Sequence, residues 1–189
     1  MQPREYGFDE RLVMSNGHAA SSDVRDVLIQ SIPGVVAANK AAHANDRLGI
    51  DWWAEMAGGR HLAVDVKVRE EDWAALHPEE DDLAIETFSV VESKKIGWSR
   101  DESKRCDYVL WLWKNTGRFC LVPFPMLCKV CQENWESWRE QYKVATQRTD
   151  WRGSGHYHSE CVFVPRREVW AKIYATFGGQ ACVVRECDA

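Results

Sequence analysis

Residues 46–69 read DRLGIDWWAEMAGGRHLAVDVKVR. From residue 61 onward, apolar and polar side chains alternate, which is typical of a β-strand whose two faces have different surroundings. An apolar, aromatic segment precedes this strand, and the Gly-Gly pair between the two favours a tight turn. We therefore predict an antiparallel hairpin, with the valines of its second strand on one face and Asp65 and Lys67 on the other.

Patterns on both sides of this hairpin predict further helices and strands. A capped apolar pattern predicts a helix over 21–32, and an alanine-rich segment predicts a second helical stretch over 35–44. The downstream expectations are strands at 83–91, 107–113, 118–122 and 181–186, two short strands around a turn at 153–155, and helices at 126–141 and from Pro165 onward. This order predicts an α/β fold with a mixed sheet of four to five strands flanked by helices.

The composition is that of a globular protein of ordinary size. The chain has 189 residues, of which 45% are hydrophobic and 28% are charged, and this balance excludes a wholly disordered protein. We expect residues 1–20 to form a flexible N-terminal segment, and residues 21–189 to form one domain with a helix and a strand as its C-terminal extension. The formal net charge of −5 excludes a histone-like polycation but leaves nucleic-acid enzymes open.

The sequence also predicts a cellular setting. No apolar run approaches 18 residues, and the first residues lack the basic and apolar segments of a signal peptide. We therefore expect no membrane partner and a cytoplasmic location. The seven cysteines are expected to be reduced thiols there.

The predicted hairpin gathers a polar trio with a recognisable chemistry. Asp51 begins the first strand, and the turn brings it beside Asp65 and Lys67. Two carboxylates can hold a hard divalent ion, Mg²⁺ or Mn²⁺, which activates a water molecule and polarises a phosphate. A lysine two residues from a carboxylate can orient that water or offset charge in the transition state. The trio predicts metal-assisted phosphodiester hydrolysis.

Several short motifs resemble the PD-(D/E)XK nuclease superfamily, in particular its phage-type and resolvase-like branch. The resemblance covers about residues 20–125 and rests on Asp46, Gly49-Ile50-Asp51, Asp65-Val66-Lys67, Glu86, Gly97-Trp98 and Asp107-Tyr108. It departs from the literal motif at Ile50, where a proline is expected. The resemblance implies a restriction-endonuclease-like fold and Mg²⁺-dependent endo- or exodeoxyribonuclease activity on DNA. Asp51 and Asp65 would then be metal ligands, Lys67 the catalytic lysine, and Glu86 or Asp46 an accessory acid.

The same resemblance bears on partners. Many nucleases of this class pair to cut both strands, which leaves a homodimer open. Between the motif strands lies a basic segment with one aromatic residue, of the kind that grips phosphates and stacks on a base. Its candidate DNA-binding residues are Lys94, Lys95, Trp98, Arg100, Lys104 and Arg105. A second candidate is the segment 143–152, and in both cases the alternative is an ordinary solvated surface.

Three alternatives stay open at the level of sequence. Asp65 and Lys67 could be the solvated face of an edge hairpin. The fold could instead serve a non-catalytic DNA- or protein-binding module. Finally, a zinc-stapled interaction domain is conceivable, because cysteines and histidines occur at 128, 131, 156, 158 and 161, although Cys128 and Cys131 also suit free thiols in a packed helix.

Overall fold

A computed structural model describes residues 22–151, 155–178 and 185–187. The helices in these ranges are α1 Ser22–Ser31, α2 Phe124–Gln141 and α3 Arg166–Phe177. The strands are β1 Val35–Lys40, β2 Trp52–Met56, β3 His61–Arg69, β4 Asp82–Val90, β5 Lys95–Ile96, β6 Tyr108–Trp113, β7 Phe119–Pro123, β8 Lys143–Trp151, β9 Gly155–Pro165 and β10 Arg185–Cys187. Short 3₁₀ segments lie at His43–Leu48, which has six residues, and at Trp73–Ala75, Pro78–Glu80 and Trp98–Arg100, which have three each.

The larger sheet is mixed. Its strand order is β1-β2-β3-β6-β7-β10, in which only the β3–β6 pair is parallel. The predicted mixed α/β architecture is therefore confirmed, and the three-residue strand β10 extends the expected four to five strands by one. The hairpin between β2 and β3 is also confirmed, since Met56 and Arg60 close it through a backbone hydrogen bond of 2.8 Å.

Both faces of this sheet are covered. On one face, the even-numbered residues of β3 and β6, such as Val64 and Leu110, pack with the apolar side of α1. On the other face, odd-numbered residues such as Ala63 and Trp111 join a core that contains α2 and α3. The side chains that alternate along these strands therefore point into two different hydrophobic cores, and neither face of the sheet is left to solvent.

A second, antiparallel sheet packs into the α2–α3 core. Its strand order is β5-β4-β9-β8, and it contributes Leu83 and Ile85 from β4 and Val162 and Val164 from β9, all fully buried. The strands expected at 83–91 and around 153–155 therefore form a separate layer. The second layer covers the side of the larger sheet on which Asp65 and Lys67 lie.

The predicted helix at 35–44 is wrong. Residues 35–40 form the edge strand β1, which pairs antiparallel with β2 with one register shift between Val35 and Ala37, and only the 3₁₀ turn His43–Leu48 is helical. Gly34, with φ of 83°, lies in the turn after α1, where the Val35 N–H donates to the Ile32 carbonyl at 3.2 Å, and this turn reverses the chain. Once the chain is reversed, pairing with β2 and burial of Val35 and Ala38 outweigh the high helix propensity of the alanines.

Some expectations fall wholly or partly on residues that the structure does not describe. These are the N-terminal segment at 1–20, the last residue of the segment 143–152, the turn at 153–155 and the first residues of the strand expected at 181–186. Within the described ranges, no helix combines the length and the apolar character that crossing a membrane requires.

Candidate active site

Asp51 lies directly before β2 and Asp65 lies on β3, and their carboxylates are close enough to interact directly. The last residue pair of the hairpin is Trp52 with Val64, and beyond it the pairing shifts by one residue, because the backbone N–H of Asp51 donates to the Val64 carbonyl, at 2.9 Å. The Asp51 carboxylate then reaches across to β3, where its Oδ2 accepts a hydrogen bond from the Val66 N–H at 2.8 Å. The two carboxylates therefore share one face of the hairpin.

Lys67 completes the predicted trio. Its Nζ lies 2.8 Å from Oδ1 of Asp65, which is the distance of a charge-assisted hydrogen bond. Asp65 is only 4% exposed, and β3 lies between β2 and β6. The alternative in which these residues are the solvated face of an edge hairpin is therefore wrong.

The electrostatics of the trio are those of a crowded acidic pair with one counter-ion. Burial, followed by the charge of Asp65, raises the pKa of Asp51 to about 6, against the opposing effects of Lys67 and the Val66 N–H. Burial alone would lower the pKa of Lys67, but the charges of Asp65 and Asp51 outweigh it and raise the pKa above its ordinary value. At neutral pH, two carboxylates and one ammonium leave the site with a net negative charge.

Trp98 covers the ammonium group. The Nζ of Lys67 lies 4.6 Å from the centroid of the Trp98 ring, within the range of a cation–π interaction. The Trp98 ring in turn packs against Trp111 of β6, with 5.9 Å between ring centroids. The sequence predicts that Trp98 contacts DNA, but in the structure part of its ring contacts Lys67 and Trp111.

Glu86 approaches the trio from the second sheet. It lies on β4, and its negative charge contributes to the raised pKa of Lys67. Its carboxylate accepts hydrogen bonds from Ser89 Oγ at 2.6 Å and, at 3.4 Å, from the backbone N–H of Trp98. The acid is therefore near Lys67, but its oxygens are partly engaged in holding the turn that carries Trp98.

Two other acids of the motif pattern have different positions. Asp46 falls in the 3₁₀ turn His43–Leu48, and its side chain lies outside the part of the structure that is described. Asp107 does not belong to the trio, because its Oδ2 accepts from the Ala63 N–H at 2.8 Å while its own N–H donates to the Ala63 carbonyl. Asp107 thus fastens the start of β6 to β3.

The donor set fits a hard ion that keeps most of its water. Among the described side chains, no group of three or more His, Cys, Asp or Glu residues is placed to hold a metal ion. Asp51 and Asp65 are a pair, and Mg²⁺ commonly takes one or two carboxylates and retains several waters, whereas structural Zn²⁺ needs four protein ligands. The residues present therefore suit Mg²⁺ or Mn²⁺.

The predicted DNA-binding residues divide into two groups. Arg100 is packed inside the molecule: its guanidinium stacks on Trp135 and Phe88, at 4.0 and 5.0 Å from the ring centroids, and donates to the Thr87 carbonyl. Lys104 is half-buried, and its Nζ donates to the Arg47 carbonyl at 2.9 Å. The side chains that remain exposed are Lys94, Lys95 and Arg105.

The cysteine and histidine candidates for zinc are held in separate places. Cys128 and Cys131 are buried in α2, where burial raises the pKa of the Cys128 thiol to about 11. His158 lies on β9, with its Nδ1 2.6 Å from Oε1 of Glu92. Within the described ranges, nothing brings these side chains around a common centre.

One neighbour of the site was not anticipated from the sequence. Cys106 is buried beside the trio, and burial together with the charge of Asp65 raises the pKa of its thiol to about 12. Its position directly before the Asp107-Tyr108 pair is the only signal in the sequence, because the parallel pairing of β3 with β6 brings it close.

Comparisons of the chain with family models, with curated proteins and with solved structures give no match.

Proposed function

We propose that this protein is a metal-dependent nuclease that hydrolyses phosphodiester bonds in DNA. The observation that carries the proposal is the trio itself: Asp51, directly before β2, interacts with the Asp65 carboxylate and with the Val66 N–H of β3, and Lys67 Nζ lies 2.8 Å from Asp65. Burying two acids beside each other is costly, as the raised pKa of Asp51 indicates. A cation-binding role accounts for that cost.

Each member of the trio has a distinct role in this proposal. Asp51 and Asp65 bind the ion, and the Val66 N–H fixes the orientation of Asp51 through the 2.8 Å hydrogen bond. When bound, Mg²⁺ supplies the Lewis acidity that makes a water molecule nucleophilic and polarises the scissile phosphate. Lys67 orients the attacking water or offsets the charge that develops on the phosphate oxygens. Glu86 is a nearby acid that keeps the Lys67 ammonium charged.

DNA is the proposed substrate because of the surface beside the site as well as the trio. Lys94 and Lys95 are exposed on the turn and strand that precede Trp98, and Arg105 is exposed just before β6. These charges can contact phosphates without reading sequence. A homodimer would let two such sites address both strands of a duplex.

A cleavage assay tests the proposal. Supercoiled, linear and single-stranded DNA, and RNA of matched sequence, are incubated with purified protein in Mg²⁺, in Mn²⁺ and in EDTA. We expect DNA cleavage that requires the metal and falls at least about 100-fold in Asp65→Asn and in Asp51→Asn, because each removes a charged ligand. Glu133→Gln, on the exposed side of α2, is the matched control and is expected to retain full activity.

The same assay separates the enzyme from a non-catalytic binding module on this fold. A binding module would retain DNA in a mobility-shift experiment, with or without metal, and would leave it intact. Metal-dependent cleavage that is unchanged in Asp65→Asn would reject the trio as the active site. Circular dichroism of each variant establishes that the loss of activity is not a loss of folding.

A further inference from the structure

The Lys67 ammonium occupies one of the carboxylate oxygens that a metal ion would use. It lies 2.8 Å from Asp65 Oδ1, and its charge also acts on Asp51 across the hairpin. We propose that Lys67 is the resident cation of the Asp51–Asp65 pair, and that a divalent ion binds by displacing this ammonium from Asp65. The inference rests on the proposed metal site and states how that site is filled.

Displacement is expected because two cations would have to share one buried carboxylate. Asp65 is 4% exposed, so solvent screens the charges around it only weakly. A metal–oxygen bond of about 2.1 Å and a hydrogen bond of 2.8 Å to the same carboxylate would place a divalent and a monovalent charge a few ångströms apart. Repulsion at that separation is strong in a partly buried site.

The surroundings of Lys67 give the displaced ammonium another partner. Its side chain is 29% exposed and long, and its Nζ already lies 4.6 Å from the Trp98 ring centroid. The ammonium can therefore leave Asp65 and stay on the ring face, near Glu86, with its charge still compensated. Trp98 is thereby assigned as a positioning residue for Lys67.

The position of Trp98 is fixed by its neighbours in the chain. Gly97 lies so close to the Glu86 carbonyl that a Cβ atom there would overlap the carbonyl oxygen. Ser99 is fully buried, and its Oγ donates to that same carbonyl at 2.7 Å. The ring therefore remains in place for Lys67 while the ammonium moves.

The test is Mn²⁺ binding, measured by electron paramagnetic resonance and by titration calorimetry without any substrate. The variants are Lys67→Met, which removes the competing cation, and Lys67→Arg, which retains it. Lys114→Met is the matched control, because Lys114 is also 29% exposed and near a glutamate, Glu70, and its loss changes the net charge equally. We expect Lys67→Met to bind Mn²⁺ at least about tenfold more tightly, because a charge-assisted hydrogen bond no longer opposes the ion.

The outcomes distinguish this inference from the proposed function. Displacement is supported if Lys67→Met binds Mn²⁺ more tightly while Lys67→Arg and Lys114→Met bind it with an affinity within about threefold of the unaltered protein. If Lys67→Met binds Mn²⁺ no more tightly, while Asp65→Asn and Asp51→Asn abolish binding, displacement is wrong and the metal site stands. If no variant binds Mn²⁺, both the proposed metal site and the inference are overturned.

A second measurement does not depend on the folding of Lys67→Met. The unaltered protein is treated with a limiting amount of an amine-acetylating reagent, with and without saturating Mn²⁺, and modification of Lys67 is compared with that of Lys114 by mass spectrometry. Displacement frees the amine from Asp65, so we expect Lys67 labelling to rise at least about twofold relative to Lys114. Unchanged or reduced labelling would overturn the inference.

Discussion

At the scale of single residues, the positions of Asp65 and Lys67 follow from the alternation of one strand. A period of two places both side chains on the face away from Val64 and Val66, and the structure has them there, 2.8 Å apart. Their burial could not be predicted in the same way. The layer that covers them is the sheet in which β4 pairs with β9, about 80 positions further along the chain, and no local pattern predicts that pairing.

The raised pKa of Asp51 predicts how stability depends on pH. A carboxyl with a pKa of about 6 in the folded protein and 3.8 in the unfolded chain favours folding when protonated. This stabilisation is fully present below about pH 4, decreases as the pH rises from about 4 to 6, and is lost above about pH 6. An asparagine side chain does not titrate, so Asp51→Asn should gain about 2 kcal/mol in unfolding free energy over the unaltered protein between pH 4 and pH 7.

Urea unfolding at several pH values measures this difference. Asp101→Asn is the comparison with the opposite sign: although burial opposes it, hydrogen bonds from Ser103 hold the pKa of Asp101 below its ordinary value. The unfolding free energy of the unaltered protein should therefore rise relative to that of Asp101→Asn as the pH rises through about 4. Stability curves for Asp51→Asn and the unaltered protein that run parallel would contradict the assignment of Asp51 as a strained, ionised acid.

At the scale of elements, the helices and strands with a local sequence pattern can be predicted, whereas a strand that forms only by pairing with another strand cannot. The β2–β3 hairpin carries its own alternation and turn, and α2 carries an apolar face, so both could be located from the sequence. The segment 35–40 carries a mixed local signal, because its alanines favour a helix and its two valines favour a strand. Its strand is decided by the partner β2, which a local pattern does not include.

The turn that carries Trp98 depends on Gly97. A Cβ atom at residue 97 would overlap the Glu86 carbonyl, which belongs to the backbone and cannot move independently of β4. Gly97→Ala should therefore destabilise the protein by about 2 kcal/mol or more. Thermal and urea unfolding measure the change.

Gly58→Ala is the control for that prediction, because a Cβ atom at residue 58 meets nothing within 4 Å. Its effect on stability should stay within about 0.5 kcal/mol. Equal stabilities of the two alanine variants would mean that the contact between Gly97 and β4 is looser than the structure has it.

At the scale of the whole molecule, a buried ion-pair network joins distant parts of the chain. Arg118, just before β7, is 8% exposed, and it binds both oxygens of Asp72 at 2.6 and 2.7 Å and stacks on Trp113. Asp81 links Arg118 to Arg166 at the start of α3. The connection between β3 and β4 is thereby fastened to both layers.

Removing one member of this network should be costly. Asp72→Asn leaves the Arg118 charge buried with only part of its compensation, so we expect a loss of about 3 kcal/mol in unfolding free energy. Glu133→Gln breaks the exposed Lys129–Glu133 pair and should change stability by less than about 0.5 kcal/mol. A loss of similar size in the two variants would show that the network contributes no more than a surface pair.

The α/β fold class could be predicted from the sequence, but the presence of a second sheet could not. Alternating helices and strands indicate a mixed α/β protein, and the apolar strand β6 indicates a buried central position. The pairing of β4 with β9 joins residues about 80 positions apart, and it produces a second sheet that the sequence pattern alone does not indicate. The site lies where this second sheet meets the first, so its enclosure depends on the least predictable feature of the fold.

The most direct measurement is anomalous X-ray scattering from crystals soaked in Mn²⁺. The proposed function predicts one strong anomalous peak about 2.2 Å from carboxylate oxygens of both Asp51 and Asp65. The displacement inference adds that Lys67 Nζ is more than hydrogen-bond distance from Asp65. Well-ordered Asp51 and Asp65 with no peak between them at saturating Mn²⁺ would contradict the metal site and the hydrolytic function proposed from it.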